Sequence, residues 1–160
     1  MQRFLYRLNL KQALTIVLVP TIGLITYFLL KQPFSYQLFI DFAGAATVYF
    51  LLAFLLYPLL LGVKHLRFRW LVKFTRIYIR FHIATAIGGT VLLLPHITGM
   101  PLYASFSNPK ALTGLLTICT FSAVLVSGYF RKKRSSGKRR RYHRYSAFIF
   151  IGFLFVHLVI

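Results

Sequence analysis

Four histidines are the residues of this chain best suited to chemistry, and they form two pairs with one spacing. The interval from His82 to His96 equals the interval from His143 to His157, fourteen positions in each case. Each pair lies inside a strongly apolar stretch. Histidine is costly in a hydrocarbon environment and is seldom placed there without a task. That interval is close to four helical turns, so both members of a pair share a face and sit roughly 21 Å apart along the axis. Imidazole is an axial ligand for haem iron, and two imidazoles fill both axial positions, which suits electron transfer better than oxygen binding at the metal. The fifth histidine, His65, lies among Lys64, Leu66 and Arg67. It is expected at a membrane interface and not among the ligands.

The elements that must carry these residues are membrane helices. Apolar residues are 58% of the 160 positions, and they come in runs near 20, the length that crosses a hydrocarbon core. A soluble protein exposing this much Phe, Leu and Ile would aggregate. Five spans are expected, at about 13–30, 38–63, 77–97, 111–130 and 142–160, in one domain covering 1–160. Pro20 predicts a kink in the first. Leu94-Pro95-His96 places His96 where the third span bends or stops. Arg3, Arg7 and Lys11 precede the first run as in a signal sequence. That run ends in Lys31-Gln32-Pro33 with no small-residue cleavage site, so it is read as a retained span.

The charges set an orientation. There are 20 Lys and Arg against one acid, Asp41. Counted from the amino terminus through the successive connections, the cations number three, one, six, one and nine, so 18 of the 20 fall on one side. That side is expected to be cytoplasmic, with the amino terminus inside, the carboxyl terminus outside, and the chain in the plasma membrane. The basic run 131–141 is then a topogenic cytoplasmic loop that anionic lipid can also hold, and nucleic acid is not expected as a partner. An electrostatic dock for an acidic donor protein is a further reading of the same run.

The third and fifth spans are separated by one span and run in the same direction. Depth therefore pairs His82 with His143 near the inner surface and His96 with His157 near the outer one. The expected fold is all-α: an integral membrane bundle of about five transmembrane helices, the third and fifth parallel and enclosing two b-type haems. The alternative for an intramembrane histidine is a helix–helix hydrogen bond. Gly88 and Gly89 lie between the third-span ligands and Gly152 between the fifth-span ligands. Two readings fit them equally: close approach of a flat macrocycle, or ordinary packing of membrane helices. Arg76, Arg80 and Arg144 lie near the inner ligands. They suit haem propionates or simply follow the positive-inside bias. Phe148, Phe150, Phe153 and Phe155 either fill space between cofactors or face lipid.

Several chemistries are excluded. One acid cannot form the carboxylate pair of a glycosidase, nor a carboxylate metal cage. Asp41 is read by default as a helix-end acid, with proton uptake or quinone binding as the other reading. The single cysteine, Cys119, rules out an internal disulfide or a cysteine zinc site. No glycine-rich nucleotide loop follows a strand.

The segments RFHIATAIGGTVLLLPH and YHRYSAFIFIGFLFVH resemble the ferric-reductase-like transmembrane superfamily over roughly residues 40–160. That superfamily includes ferric reductases, the membrane half of NADPH oxidases and the haem subunit of a bacterial periplasmic methionine-sulfoxide reductase. The resemblance implies two haems stacked across the membrane, with His82 and His143 on the inner one and His96 and His157 on the outer one. It also implies electron delivery to an outer-face acceptor such as ferric iron, oxygen or a partner reductase. The chain departs from the oxidases in having no FAD- and NADPH-binding domain. It is therefore expected to be the membrane haem component of an oxidoreductase, with a quinol, a flavin or a separate flavin reductase as donor. A His-lined metal or proton carrier, and a structural membrane subunit, are the alternatives.

Overall fold

The computed structural model describes residues 9–63, 69–103, 108–133 and 136–160; side chains of 55–63, 69–73, 76 and 132 fall outside that description. His65 lies outside the described residues. Among those described there are five long helices and no strands: α1 (Leu10–Lys31), α2 (Tyr36–Val63), α3 (Arg69–Gly99), α4 (Pro109–Lys133) and α5 (Gly137–Val159), with a 3-10 turn at Met100–Leu102. All five contain a stretch long and apolar enough to cross a membrane. In hydrocarbon every backbone polar group must be satisfied within the segment, which is what a helix does.

The expected spans are recovered, and each helix is longer than its apolar core. α3 begins at Arg69, ahead of the span expected from 77, and α5 at Gly137, ahead of the span expected from 142. Hydropathy locates the lipid-crossing part of a helix, while hydrogen bonding continues it into the polar interface. α1 opens on a capping box: Asn9 Oδ1 accepts from Gln12 N at 2.9 Å, and Gln12 Oε1 from Asn9 N at 2.8 Å. The two bonds satisfy two otherwise orphaned donors. α1 then runs through Pro20 without ending. α3 likewise runs through Pro95 to Gly99, so the helix does not stop at His96. The start of α5 is fixed by Ser136, whose hydroxyl accepts from Arg139 N at 3.2 Å. Its first turns carry Lys138, Arg139, Arg140 and Arg141. Cations at a helix amino terminus oppose the helix dipole.

The chain divides into two compact units, 1–103 and 104–160. In the first, α2 and α3 form an antiparallel pair with α1 laid against α3. Its core holds Leu38, Phe42, Ala46, Ala84 and Leu92, all nearly fully buried. Gly88 and Gly89 are where α3 meets its neighbours most closely. A Cβ at Gly88 would lie 2.9 Å from the Tyr49 ring and 3.0 Å from Val17, and one at Gly89 would lie 2.9 Å from the Phe50 ring. These two glycines thus pack closely against the neighbouring helices. The Thr21 hydroxyl reaches the Val17 carbonyl at 2.7 Å and the Tyr49 hydroxyl at 3.0 Å, tying α1 to α2.

In the second unit α4 and α5 form an antiparallel hairpin. Phe121 packs on Phe150 with ring centroids 5.2 Å apart. The Thr117 hydroxyl lies 2.8 Å from the Thr113 carbonyl and 3.2 Å from that of Phe153. Phe150 is buried, whereas Phe148 and Phe155 are exposed. Gly152 faces open space, with nothing within 4 Å of an added Cβ.

Candidate functional site

Each unit contributes one helix carrying two histidines, and in each the neighbouring antiparallel helix supplies an oxygen to every ring. In the first unit His82 Nδ1 lies 2.9 Å from the Ala53 carbonyl oxygen and His96 Nδ1 3.1 Å from that of Phe39. In the second, His143 Nδ1 lies 3.2 Å from the Ser127 hydroxyl and His157 Nδ1 3.2 Å from that of Thr113. The interval from Phe39 to Ala53 is the same as that from Thr113 to Ser127, and both equal the interval within each histidine pair. The histidine spacing is therefore met by an equal spacing of acceptors on the partner helix. Helices of equal rise, paired antiparallel, keep one register along their length.

The α2 acceptors are main-chain atoms. A carbonyl oxygen has two lone pairs and can take a second donor beside the helical N–H. It cannot donate, so Nδ1 of His82 and of His96 carries the ring proton. The lone pair is then on Nε2, the nitrogen that would bind a metal. Hydrogen bonding at the opposite ring nitrogen fixes tautomer and orientation in metal-ligating histidines and raises their basicity. The Ala53 carbonyl also accepts from the Tyr78 hydroxyl at 2.9 Å. Tyr78 is one turn before His82, and the two rings lie 6.2 Å apart between centroids. Phe39 is buried among aromatic rings, edge-on to Phe34 at 4.9 Å and 5.9 Å from Tyr103. The Phe39 ring also lies against Gly99, where no side chain would fit. The Phe39 carbonyl is thus held by a packed cluster, the Ala53 carbonyl by a second hydrogen bond.

The α4 acceptors are side chains, and each is followed by glycine. A Cβ at Gly128 would come within 3.2 Å of His143 Cε1, and one at Gly114 within 3.1 Å of His157 Cε1. Contacts that short require the ring to shift by a few tenths of an ångström. Thr113-Gly114 and Ser127-Gly128 thus give both an acceptor and room for the imidazole. Sequence reasoning missed all of these residues, although their signal was present: a hydroxyl–glycine dipeptide repeated at the histidine spacing.

The four histidines are half-buried, as is Arg80, while Arg144 is exposed on the first turns of α5. The Arg76 side chain lies outside the described residues. Asp41 accepts from Gln32 at 2.6 Å and from Gln37 at 2.9 Å. Two neutral amides hold it near the start of α2, as a helix-end acid. Buried polar side chains are satisfied throughout the described residues, chiefly by bonds such as Thr47 to the Ala43 carbonyl and Thr90 to that of Ala86. The histidine contacts belong to this pattern of full satisfaction.

Fold and residues together define an all-helical chain with five potential membrane spans and two histidine-bearing hairpins. It matches no family model, no curated protein and no solved structure.

Proposed function

We propose that this chain is a transmembrane electron conduit of the cytochrome b type. In this reading His82 and His143 ligate an inner haem, and His96 and His157 an outer one. The observation that carries it is the uniform treatment of the four rings: every Nδ1 meets an oxygen, at distances from 2.9 Å to 3.2 Å, on partner helices that repeat the histidine spacing. The same bond at every Nδ1 would have each ring offer a metal the same nitrogen, Nε2. A haem at each level would be held by two imidazoles, those of His82 and His143 or those of His96 and His157. A bound haem supplies a one-electron carrier. The chain's own residues orient the imidazoles and half-bury them.

The cation distribution supports an amino terminus on the cytoplasmic side of the plasma membrane, which puts His82 and His143 toward that face. Arg80 and Arg144, and Arg76 by sequence, are candidates for the propionates of the inner cofactor. Fully ligated iron favours outer-sphere transfer. The outer acceptor, whether ferric iron, oxygen or a partner reductase, therefore need not bind the metal. A quinol or a separate flavin reductase would be the donor.

Absorbance tests the reading directly. Protein purified from cells supplied with haem precursor should show a Soret band, sharp reduced-state bands and two haems per chain. A colourless protein with no haem by pyridine haemochrome assay would end the proposal and favour a proton or metal carrier.

A further inference from the structure

We propose that Thr113 and Ser127 are positioning residues. Each holds an α5 imidazole with its proton on Nδ1, through a short relay that ends on a backbone carbonyl of α4. The inference rests on the haem reading for its purpose.

A hydroxyl has one proton and two lone pairs. The Ser127 hydroxyl proton is directed to the Val124 carbonyl, 3.0 Å away, and that of Thr113 to the Lys110 carbonyl, also 3.0 Å away. Both carbonyls lie one turn back on the same helix. Each hydroxyl therefore turns a lone pair toward the ring nitrogen 3.2 Å away, and Nδ1–H is the donor. At His143 the relay runs from ring N–H to hydroxyl to carbonyl; at His157 the Lys110 carbonyl that takes the Thr113 proton is also a hydrogen-bond partner of the ring. The outcome is the tautomer that the Ala53 and Phe39 carbonyls impose on α3. Two unrelated kinds of acceptor thus give all four rings one polarity. The glycine after each hydroxyl lets the ring come close enough for the bond. The two dipeptides repeat on α4 at the same interval as the histidines they face on α5.

The difference in acceptor makes the idea testable, since a side chain can be removed and a carbonyl cannot. The full chain, prepared without haem and labelled with 15N in the histidine rings, is the sample. Ring signals are assigned by single histidine substitutions. In the wild type all four intramembrane rings should show a protonated Nδ1. Thr113→Val keeps the side-chain volume and should move protonation toward Nε2 at His157 alone, less completely than at the other site because the Lys110 carbonyl remains as an acceptor. Ser127→Ala should do so at His143 alone. Thr113→Ser and Ser127→Thr retain the hydroxyl and should restore the wild-type signals. In the haem-loaded chain the same two hydroxyl deletions should weaken haem retention at the affected site by roughly 10- to 100-fold, the usual effect of losing such an outer partner.

Ring signals indifferent to both deletions would overturn the inference, as would Ser and Thr replacements as damaging as the deletions. A chain holding two haems with indifferent signals would sink this inference and spare the function. A chain that never binds haem would sink the function, while the tautomer measurement would still decide the role of the two hydroxyls.

Discussion

In the α2–α3 hairpin the oxygens facing the imidazoles belong to the main chain; in the α4–α5 hairpin they belong to side chains. Both hairpins share the antiparallel pairing and the matched spacing of rings and acceptors, and they part at the acceptor itself. A carbonyl is present whatever residue occupies the position, so the first hairpin needs only correct register and close approach. It obtains the approach from Gly88 and Gly89 against Tyr49 and Phe50. The second hairpin needs particular residues, a hydroxyl and a glycine at each level. The same ring orientation is thus secured once by packing and once by composition. The two hairpins should fail in different ways.

The largest effect is expected at the ligands. His82→Ala and His143→Ala should each remove the inner haem and leave the outer one at least partly occupied. His96→Ala and His157→Ala should do the converse. Haem-to-protein ratios and reduced-minus-oxidised spectra measure this, and two haems retained in all four variants would refute the ligand assignment.

Next come the packing glycines. Gly88→Ala puts a methyl 2.9 Å from the Tyr49 ring, and overpacking of this kind typically costs about 1–3 kcal/mol. Unfolding in a detergent titration should report it as lost stability of the first unit. Gly152→Ala meets nothing within 4 Å and, in a helix interior, should stabilise by up to about 1 kcal/mol. Equal losses from the two would break the contrast between packed and open glycines.

Tyr78→Phe removes one of the two side-chain donors that share the Ala53 carbonyl, at about 0.5–1.5 kcal/mol for one hydrogen bond. The His82 bond to that oxygen should survive, so haem content should hold while stability falls slightly. Loss of the inner haem in this variant would show that Tyr78 is needed to set the His82 ring. Gly114→Ala and Gly128→Ala should have the smallest consequences. Each pushes one imidazole by a few tenths of an ångström, which should appear as a shift in the low-spin haem resonance spectrum with haem content kept. An unchanged spectrum in both would mean that the glycines do not set ring orientation.

Much of this was legible along the chain. The five apolar runs, the four histidines and the one-sided distribution of cations follow from composition and order alone. Helix ends were less legible, because Arg69–Arg76 and Gly137–Arg141 are too charged to read as span yet still continue the hydrogen-bonded helix. Pro95 suggested a break at His96, but one missing N–H is not enough to stop a helix packed along its length. Gly88 and Gly89 were ambiguous for another reason. A glycine records only that something comes close, and the Tyr49 and Phe50 rings that do so lie on a different helix, far back along the chain.

The sequence alone determined that the chain carries stretches long and apolar enough to cross a hydrocarbon layer and two equally spaced histidine pairs, because both depend on residue type and helical repeat. It also held the Thr113-Gly114 and Ser127-Gly128 repeat in plain view. Only the tertiary structure decided that those dipeptides face His157 and His143, and that the Phe39 and Ala53 carbonyls do the same for His96 and His82. A backbone oxygen leaves no mark in the residue letters. Its role depends on the register in which two antiparallel helices pack, and that is fixed by side chains far apart along the chain.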